Sequence, residues 1–250
     1  MLKVENLHVA AAKNRELLHN VSLTVKRKQI IGLMGHSGAG KTTLIKTIMG
    51  ILNKKCTVNK GNIYVDEQNL CTLTSRERRR LCGTVLGFIP QNPMTAFDTR
   101  RHIDKQMIET YRRHLQLSKE QCRQLAKDTL KLVNLLEVDR ILKCYPHELS
   151  GGMLQRVTIA ILLGLKPSYI IADEPISALD EENGRIILNL IKEISENTGI
   201  LIASHHYEAL DEICHHIYTL NQGQLSPFDK KSVKSYKEDE GEHFIWKALS

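Results

Sequence analysis

Aromatic residues make up only 5% of this 250-residue sequence, and tryptophan occurs once. Long apolar runs are also missing. The most apolar one, Ile159 to Leu165, falls far short of the roughly 20 residues a spanning helix requires. The N-terminus, Met1-Leu2-Lys3-Val4-Glu5, lacks the hydrophobic region of a secretory signal peptide. On these absences the chain is expected to stay in the cytoplasm. C-x-x-C spacing is absent too: Cys56, Cys71, Cys82, Cys122, Cys144 and Cys214 are scattered, which argues against a zinc site or a disulfide framework and for reduced thiols. No internal repeat or low-complexity tract is evident.

What is present is ordinary for a soluble globular protein, with 42% apolar and 25% charged residues. The length suits one core, or one core with an inserted lobe, and hardly two independent domains. The net charge of +7 is concentrated locally at Arg76-Glu77-Arg78-Arg79-Arg80 and Arg100-Arg101. Such clusters suit nucleic acid, anionic lipid headgroups or plain solvation. Without interleaved aromatics they are read first as solvated surface and second as a membrane-facing one.

The segment Gly35-His36-Ser37-Gly38-Ala39-Gly40-Lys41-Thr42 fits G-x-x-x-x-G-K-[ST], in which free backbone N–H groups surround phosphates while a lysine and a hydroxyl complete the charge balance. Gln29 to Met34 read as an apolar strand entering it, and Thr42 to Met49, Thr43 included, as a helix whose N-terminus faces the nucleotide. A glycine turn before a helix is the plainer alternative. His36 within the loop reads as incidental.

Residues 1 to about 30 read as short alternating strands, with Val4, Leu7, Val9, Val21, Leu23 and Val25 on apolar faces of a small antiparallel sheet. Gly61 to Asp66 and Thr84 to Pro90 look like further strands, with Gln91 where the latter stops. From about 92 to 165 the pattern is helical, an inserted lobe with Leu125, Leu130, Leu132, Val133, Leu135 and Leu136 supplying apolar faces. Alternation then resumes: strand Tyr169 to Ala172, helix Gly184 to Ser195, strand Ile200 to Ser204, helix near Tyr207 to Cys214. This is the pattern of a parallel sheet wrapped by helices, which binds ligands at the carboxyl ends of its strands. The tail from Ser226 is charged and weakly patterned until Phe244-Ile245-Trp246.

Asp173 and Glu174 end an apolar strand beside the expected phosphates, where Asp173 would serve Mg²⁺ and Glu174 would take a proton from attacking water; the alternative is two surface acids capping the next element. His205 follows another such strand, within reach of a γ-phosphate oxygen. The pairs His205-His206 and His215-His216 are not read as metal sites, because adjacent side chains point apart on a helix or a strand. Ser150, Gly151 and Gly152 open a helix as cap and exposed N–H groups, a second anion site or simply a capped helix. Since one ATP already has its loop, this site makes most sense closing over ATP held by another subunit, in a head-to-tail dimer.

On these segments the chain resembles the ATPase subunit of ABC transporters over residues 1 to about 225, with Gly35–Thr42 as Walker A, Gln91 as Q-loop, Leu149–Met153 as signature motif, Ile170–Glu174 as Walker B and His205 as switch histidine. Ser177-Ala178-Leu179-Asp180 is similar to the family's D-loop, linking the two ATP sites. The resemblance implies an α/β fold: a RecA-like parallel sheet core with an N-terminal antiparallel β subdomain and an inserted α-helical subdomain, 226–250 being a tail. It implies ATP and Mg²⁺ as cofactors, with Thr42, Gln91 and Asp173 about the metal and Glu174, His205 and Gln91 in catalysis. Gln91-Asn92-Pro93-Met94-Thr95-Ala96-Phe97 and Tyr145 to Arg156 resemble the peptide/nickel importer branch.

That branch implies a subunit on the cytoplasmic face of the membrane. There it pairs with an identical or paralogous ATPase and docks on permease subunits. An extracytoplasmic substrate-binding protein takes part indirectly, the cargo is a peptide, nickel or a metal chelate, and no nucleic acid is expected. The rival is a soluble ABC ATPase acting on ribosomes or DNA, whose members usually resemble tandem or coiled-coil-inserted versions. The sequence departs from the pattern in three places. The stretch expected to stack adenine is Ala10-Ala11-Ala12-Lys13, with only His8 nearby; the tail has no cysteine for an iron–sulfur site; and Asp98-Thr99 replaces the Asn-Pro common after this branch's Q-loop.

Overall fold

The computed structural model describes residues 1–12 and 15–229. Lys13 and the tail residues Phe244, Ile245 and Trp246 lie outside them. The chain opens with β1 (Leu2–Ala11) and β2 (Arg15–Val25), which pair antiparallel with Leu2 opposite Val25, Val4 opposite Leu23 and Leu7 opposite Val21. β3 (Ile30–Met34) leaves for a second sheet, while β4 (Cys56–Val65) and β5 (Gln68–Asn69) return to complete the first in the order β2-β1-β4-β5.

The second sheet holds β3 with β6 (Leu86–Ile89), β7 (Tyr169–Asp173), β8 (Gly199–Ser204), β9 (His216–Asn221) and β10 (Gln224–Pro227), in the order β10-β9-β3-β8-β7-β6. All neighbours are parallel except β10, which runs antiparallel to β9 and carries pairing to Pro227, one residue past the expected start of the tail. Every residue of β3, β7 and β8 is buried, as expected of parallel strands covered on both faces. Alternation splits them between two cores. Ile31, Leu33, Ile171 and Leu201 meet α1 (Lys41–Met49) and the antiparallel sheet, while Ile30, Met34, Ile170, Ile200 and Ile202 face the other side. On that second side lie α7 (Glu181–Ser195) and α8 (Tyr207–Ile213).

Between β5 and β6 runs the short α2 (Ser75–Leu81), and between β6 and β7 lie α3 (Ile103–His114), α4 (Lys119–Leu132), α5 (Val138–Lys143) and α6 (Gly151–Leu165). Tyr111 joins three of these helices: its buried hydroxyl lies 3.1 Å from Thr129 Oγ1 on α4 and donates to the Ala160 carbonyl of α6 at 3.1 Å. Gly164 makes room for the ring, since a Cβ there would lie 2.6 Å from it.

Two local expectations fail. Leu132 and Leu136 are 63% and 83% exposed, because Leu132 lies two residues, about 200°, round α4 from buried Leu130, and Leu136 falls in the turn beyond the helix end. Arg78 is not solvated surface: half-buried, it donates to the Thr47 and Ile48 carbonyls at 3.0 and 2.9 Å, satisfying the C-terminal groups of α1. Burial holds its guanidinium below the usual arginine range. Replacing Tyr111 with Phe removes two buried hydrogen bonds while keeping the ring. We expect Tyr111→Phe to lower unfolding stability by about 1–2 kcal/mol in urea titrations with little change in nucleotide affinity.

Candidate functional site

The carboxyl ends of β3, β7 and β8 converge on a cavity of about 460 Å³ lined by the loop after β3 together with Gln91, Glu174 and His205. The loop leads into α1, and its shape depends on glycine. Gly40 caps α1 with φ +112°, a conformation L side chains rarely adopt. Gly35 approaches β9 so closely that a Cβ would lie 2.4 Å from the Leu220 carbonyl oxygen. His36, Ser37, Gly38, Gly40, Lys41, Thr42 and Thr43 all line the cavity, so His36 is part of the wall and not incidental to it. Ala39 supports the turn, its N–H donating to the His36 carbonyl at 3.1 Å and its carbonyl accepting from Gly223 at 3.0 Å.

Lys41 is buried, donates to the Gly35 carbonyl and to the His36 carbonyl at 3.5 Å, and lies 3.4 Å from Glu174 Oε1. On the other side of the same carboxylate, Glu174 Oε2 is 2.9 Å from His205 Nδ1. Burial alone would raise the Glu174 carboxyl, but the hydrogen bond and charge of His205, with Lys41, outweigh it and hold the group below the usual carboxylate range. Asp173 behaves oppositely. Burial pushes its carboxyl up and the neighbouring Glu174 charge adds to that, with partial relief from the Thr42 hydroxyl, which donates to Oδ1 at 3.5 Å, and from Lys41.

A buried carboxylate held above its usual range calls for a cation. The Asp173 carboxylate and Thr42 hydroxyl present the hard oxygen donors that Mg²⁺ accepts, while phosphate oxygens complete such a shell in nucleotide sites. The residues present therefore fit the metal. Gln91 stands exposed at the mouth of the cavity.

Glu174 itself is unusual in backbone. Its φ of +47° is left-handed, held by its N–H donating to the Ala203 carbonyl at 2.9 Å and by Ser177 Oγ donating to its carbonyl at 3.1 Å. A non-glycine residue there costs on the order of 1–3 kcal/mol, and such conformations gather at functional sites. No sequence signal marks it. The histidine pair also departs from expectation. The His205 and His206 rings lie 3.9 Å apart at the junction of β8 and α8, where His206 is an extended N-cap with φ −82° and ψ 100° and its N–H donates to Ser204 Oγ at 3.1 Å.

Ser150, Gly151 and Gly152 are not brought to this cavity. Ser150 caps α6, its Oγ accepting from the Met153 N–H at 3.2 Å, with Gly151 exposed beside it. Gly151 instead joins Gln91, Ala178 and His205 around a separate groove of about 600 Å³. Asp180 caps α7, accepting from the Asn183 N–H at 2.9 Å, and the Asn183 amide donates back to its carboxylate at 2.8 Å. Asn183 also packs under Gly152, where a Cβ would meet it at 3.1 Å. Sequence reading missed this link, although Asp-x-x-Asn at a helix start was a visible cap.

Residues 18–177 match the family model described as ABC transporter. The chain is 33% identical over 239 residues to the oligopeptide transport ATP-binding protein OppD of Lactococcus lactis subsp. cremoris, covering 94% of this chain and 70% of that protein. It is also 33% identical to the nickel import system ATP-binding protein NikD of Staphylococcus aureus, covering 95% of this chain and 90% of that one. Among solved structures, it superimposes with a TM-score of 0.80 on a dimeric, post-hydrolysis state of the ATP-binding cassette MJ0796 bound to ADP and Pi, at 26% identity, covering 92% of this chain and 99% of that one. The chain belongs to the ABC transporter family, as one of its ATPase domains. Its nearer likeness is to ATP-binding subunits of peptide and nickel importers.

A methyl group at Gly35 forces the loop away from Leu220. Gly35→Ala is expected to weaken nucleotide binding at least tenfold in fluorescence titration and to lower stability by about 1–3 kcal/mol.

Proposed function

We propose that this protein binds and hydrolyses ATP to power an ABC importer at the cytoplasmic face of the membrane, pairing with an identical or paralogous ATPase beneath permease subunits. The cargo is a peptide, nickel or a metal chelate, delivered by an extracytoplasmic binding protein. The observation that carries the reading is the convergence of Lys41, Glu174 and His205 on one cavity of about 460 Å³ beside the glycine loop.

Phosphate oxygens entering the loop compete for the Lys41 ammonium that now faces Glu174 Oε1. Drawing Lys41 to the phosphates leaves Glu174 engaged by His205 on one oxygen and available to water on the other. Glu174 takes the proton as water attacks the γ-phosphorus in line; the bond to the bridging oxygen breaks, releasing ADP and phosphate. His205 donates toward the γ-phosphate oxygens as charge moves onto them. Thr42, Asp173 and Gln91 would hold Mg²⁺, which when bound neutralises charge on the phosphates. The loop N–H groups of Ser37, Gly38, Gly40, Thr42 and Thr43 cradle the phosphates. Lying outside its own chain's cavity, the Ser150–Gly152 corner serves ATP held by the partner, and Asp180 links the two sites. The dimeric ATP-binding cassette MJ0796 supports this arrangement.

Glu174→Gln removes the proton acceptor while keeping the shape. Its ATP affinity should stay within a few-fold of wild type while turnover drops by about 10²–10⁴ in a phosphate-release assay. The variant should also accumulate as an ATP-dependent dimer in light scattering, and unchanged turnover would remove Glu174 from the mechanism. Uptake of labelled peptides and of Ni²⁺ by the co-expressed transporter, lost in the same variant, identifies the cargo.

A further inference from the structure

The chain's positive charge has a location that ATP hydrolysis does not use. Lys41 apart, residues 42–114 carry thirteen Lys and Arg against six Asp and Glu, a net of +7, which equals the net charge of the whole chain. Much of this excess sits at the C-terminal end of α1, a helix of nine residues and so about 14 Å from its nucleotide-facing start. Three contacts join the pieces into one shelf. Arg78 of α2 reaches the Thr47 and Ile48 carbonyls and lies against Gly50, which anchors α2 at the end of α1, where the chain runs on to Ile51, Lys54 and Lys55. Gly83 abuts the ring of His114, bringing in the end of α3 with Arg112 and Arg113.

With Arg78 turned inward, Arg76 and Arg80 fall about 200° away on the outer side of α2 and Arg79 about 100° away. All three are exposed, as are Lys54 and Lys55, and among the described residues none of these five forms a salt bridge. The only acid of α2, Glu77, is engaged by the N–H and hydroxyl of Thr74. Like charges at i,i+4 weaken a helix, so a seven-residue helix carrying Arg76 and Arg80 on one side sacrifices local stability for an outward positive face. Ile51, 54% exposed, follows Gly50 and precedes Lys54 and Lys55 in the chain.

We propose that this shelf binds the anionic headgroups of a lipid bilayer. The inference rests on the membrane-peripheral reading above. Exposed Arg and Lys outside any salt bridge among the described residues suit an anionic leaflet. Nucleic acid is disfavoured because 46–60 and 71–83 contain no aromatic residue on which a base would stack.

The test is co-sedimentation of the full chain with vesicles of phosphatidylcholine alone or mixed with phosphatidylglycerol. We expect binding only to the mixed vesicles, weakening as NaCl rises. Each charge near an anionic surface contributes about fivefold, so the combined Arg76→Gln, Arg79→Gln, Arg80→Gln variant should lose about a hundredfold, and Lys54→Gln with Lys55→Gln about twenty-five-fold. Basal ATP hydrolysis of both variants should match wild type, which shows that they fold. Undiminished vesicle binding by both variants, equal binding to neutral vesicles, or duplex DNA binding with the same arginine dependence in place of vesicle binding would each overturn the proposal. Loss of ATP hydrolysis from the unmodified chain, with vesicle binding intact, would sink the catalytic reading and leave the shelf standing.

Discussion

The ion pair between Lys41 and Glu174 holds the working end of this molecule together. Both groups are buried, and a buried charge is tolerated only when it is paired and hydrogen-bonded. Lys41 belongs to the start of α1, Glu174 follows β7, and His205 follows β8, so one short chain of contacts ties three elements at the carboxyl edge of the sheet. The glycine loop, the left-handed turn at Glu174 and the burial of Asp173 all acquire a purpose around that pair. Phosphate is the natural competitor for the same ammonium, which makes nucleotide arrival an electrostatic event felt by the carboxylate proposed to activate water.

Two further features extend from this centre. Gln91 borders both the 460 Å³ cavity and the 600 Å³ groove that reaches Gly151 and Ala178, so the space around the nucleotide and the space beside the helical segment share a wall. The Asp180 cap is fastened to Asn183, and Asn183 supports Gly152. In one chain, then, the segments proposed to address the partner's nucleotide are braced against each other. A shift in either is transmitted by packing, because these contacts leave no room for compression.

Much of the fold was legible because its strands obey simple periodicity. Buried runs such as Ile200 to Ser204 announced a doubly covered sheet, and the alternation of Val21, Leu23 and Val25 announced a half-buried one. The phosphate loop was legible because its glycines are required by geometry, as Gly35 against Leu220 illustrates. Leu132 and Leu136 misled because helical periodicity says which residues share a face and not which face is covered. Arg78 misled because a charge run looks solvated unless the carbonyls it caps are known. His205 and His206 misled because the alternation of side chains holds within a strand or helix, and this pair sits at the junction between the two.

The order of motifs, the class of fold and the residues proposed to bind phosphate were legible in the sequence alone, since each rests on local chemistry or on a short-range repeat. Tertiary structure decided everything that depends on distance across the chain. It alone set Glu174 between Lys41 and His205, turned its backbone left-handed, kept Ser150 away from its own chain's cavity, and folded Arg78 onto the end of α1. The physical reason is the same throughout. Propensity and periodicity act over a few residues, whereas burial, charge pairing and close approach are settled only when strands distant in sequence lie side by side.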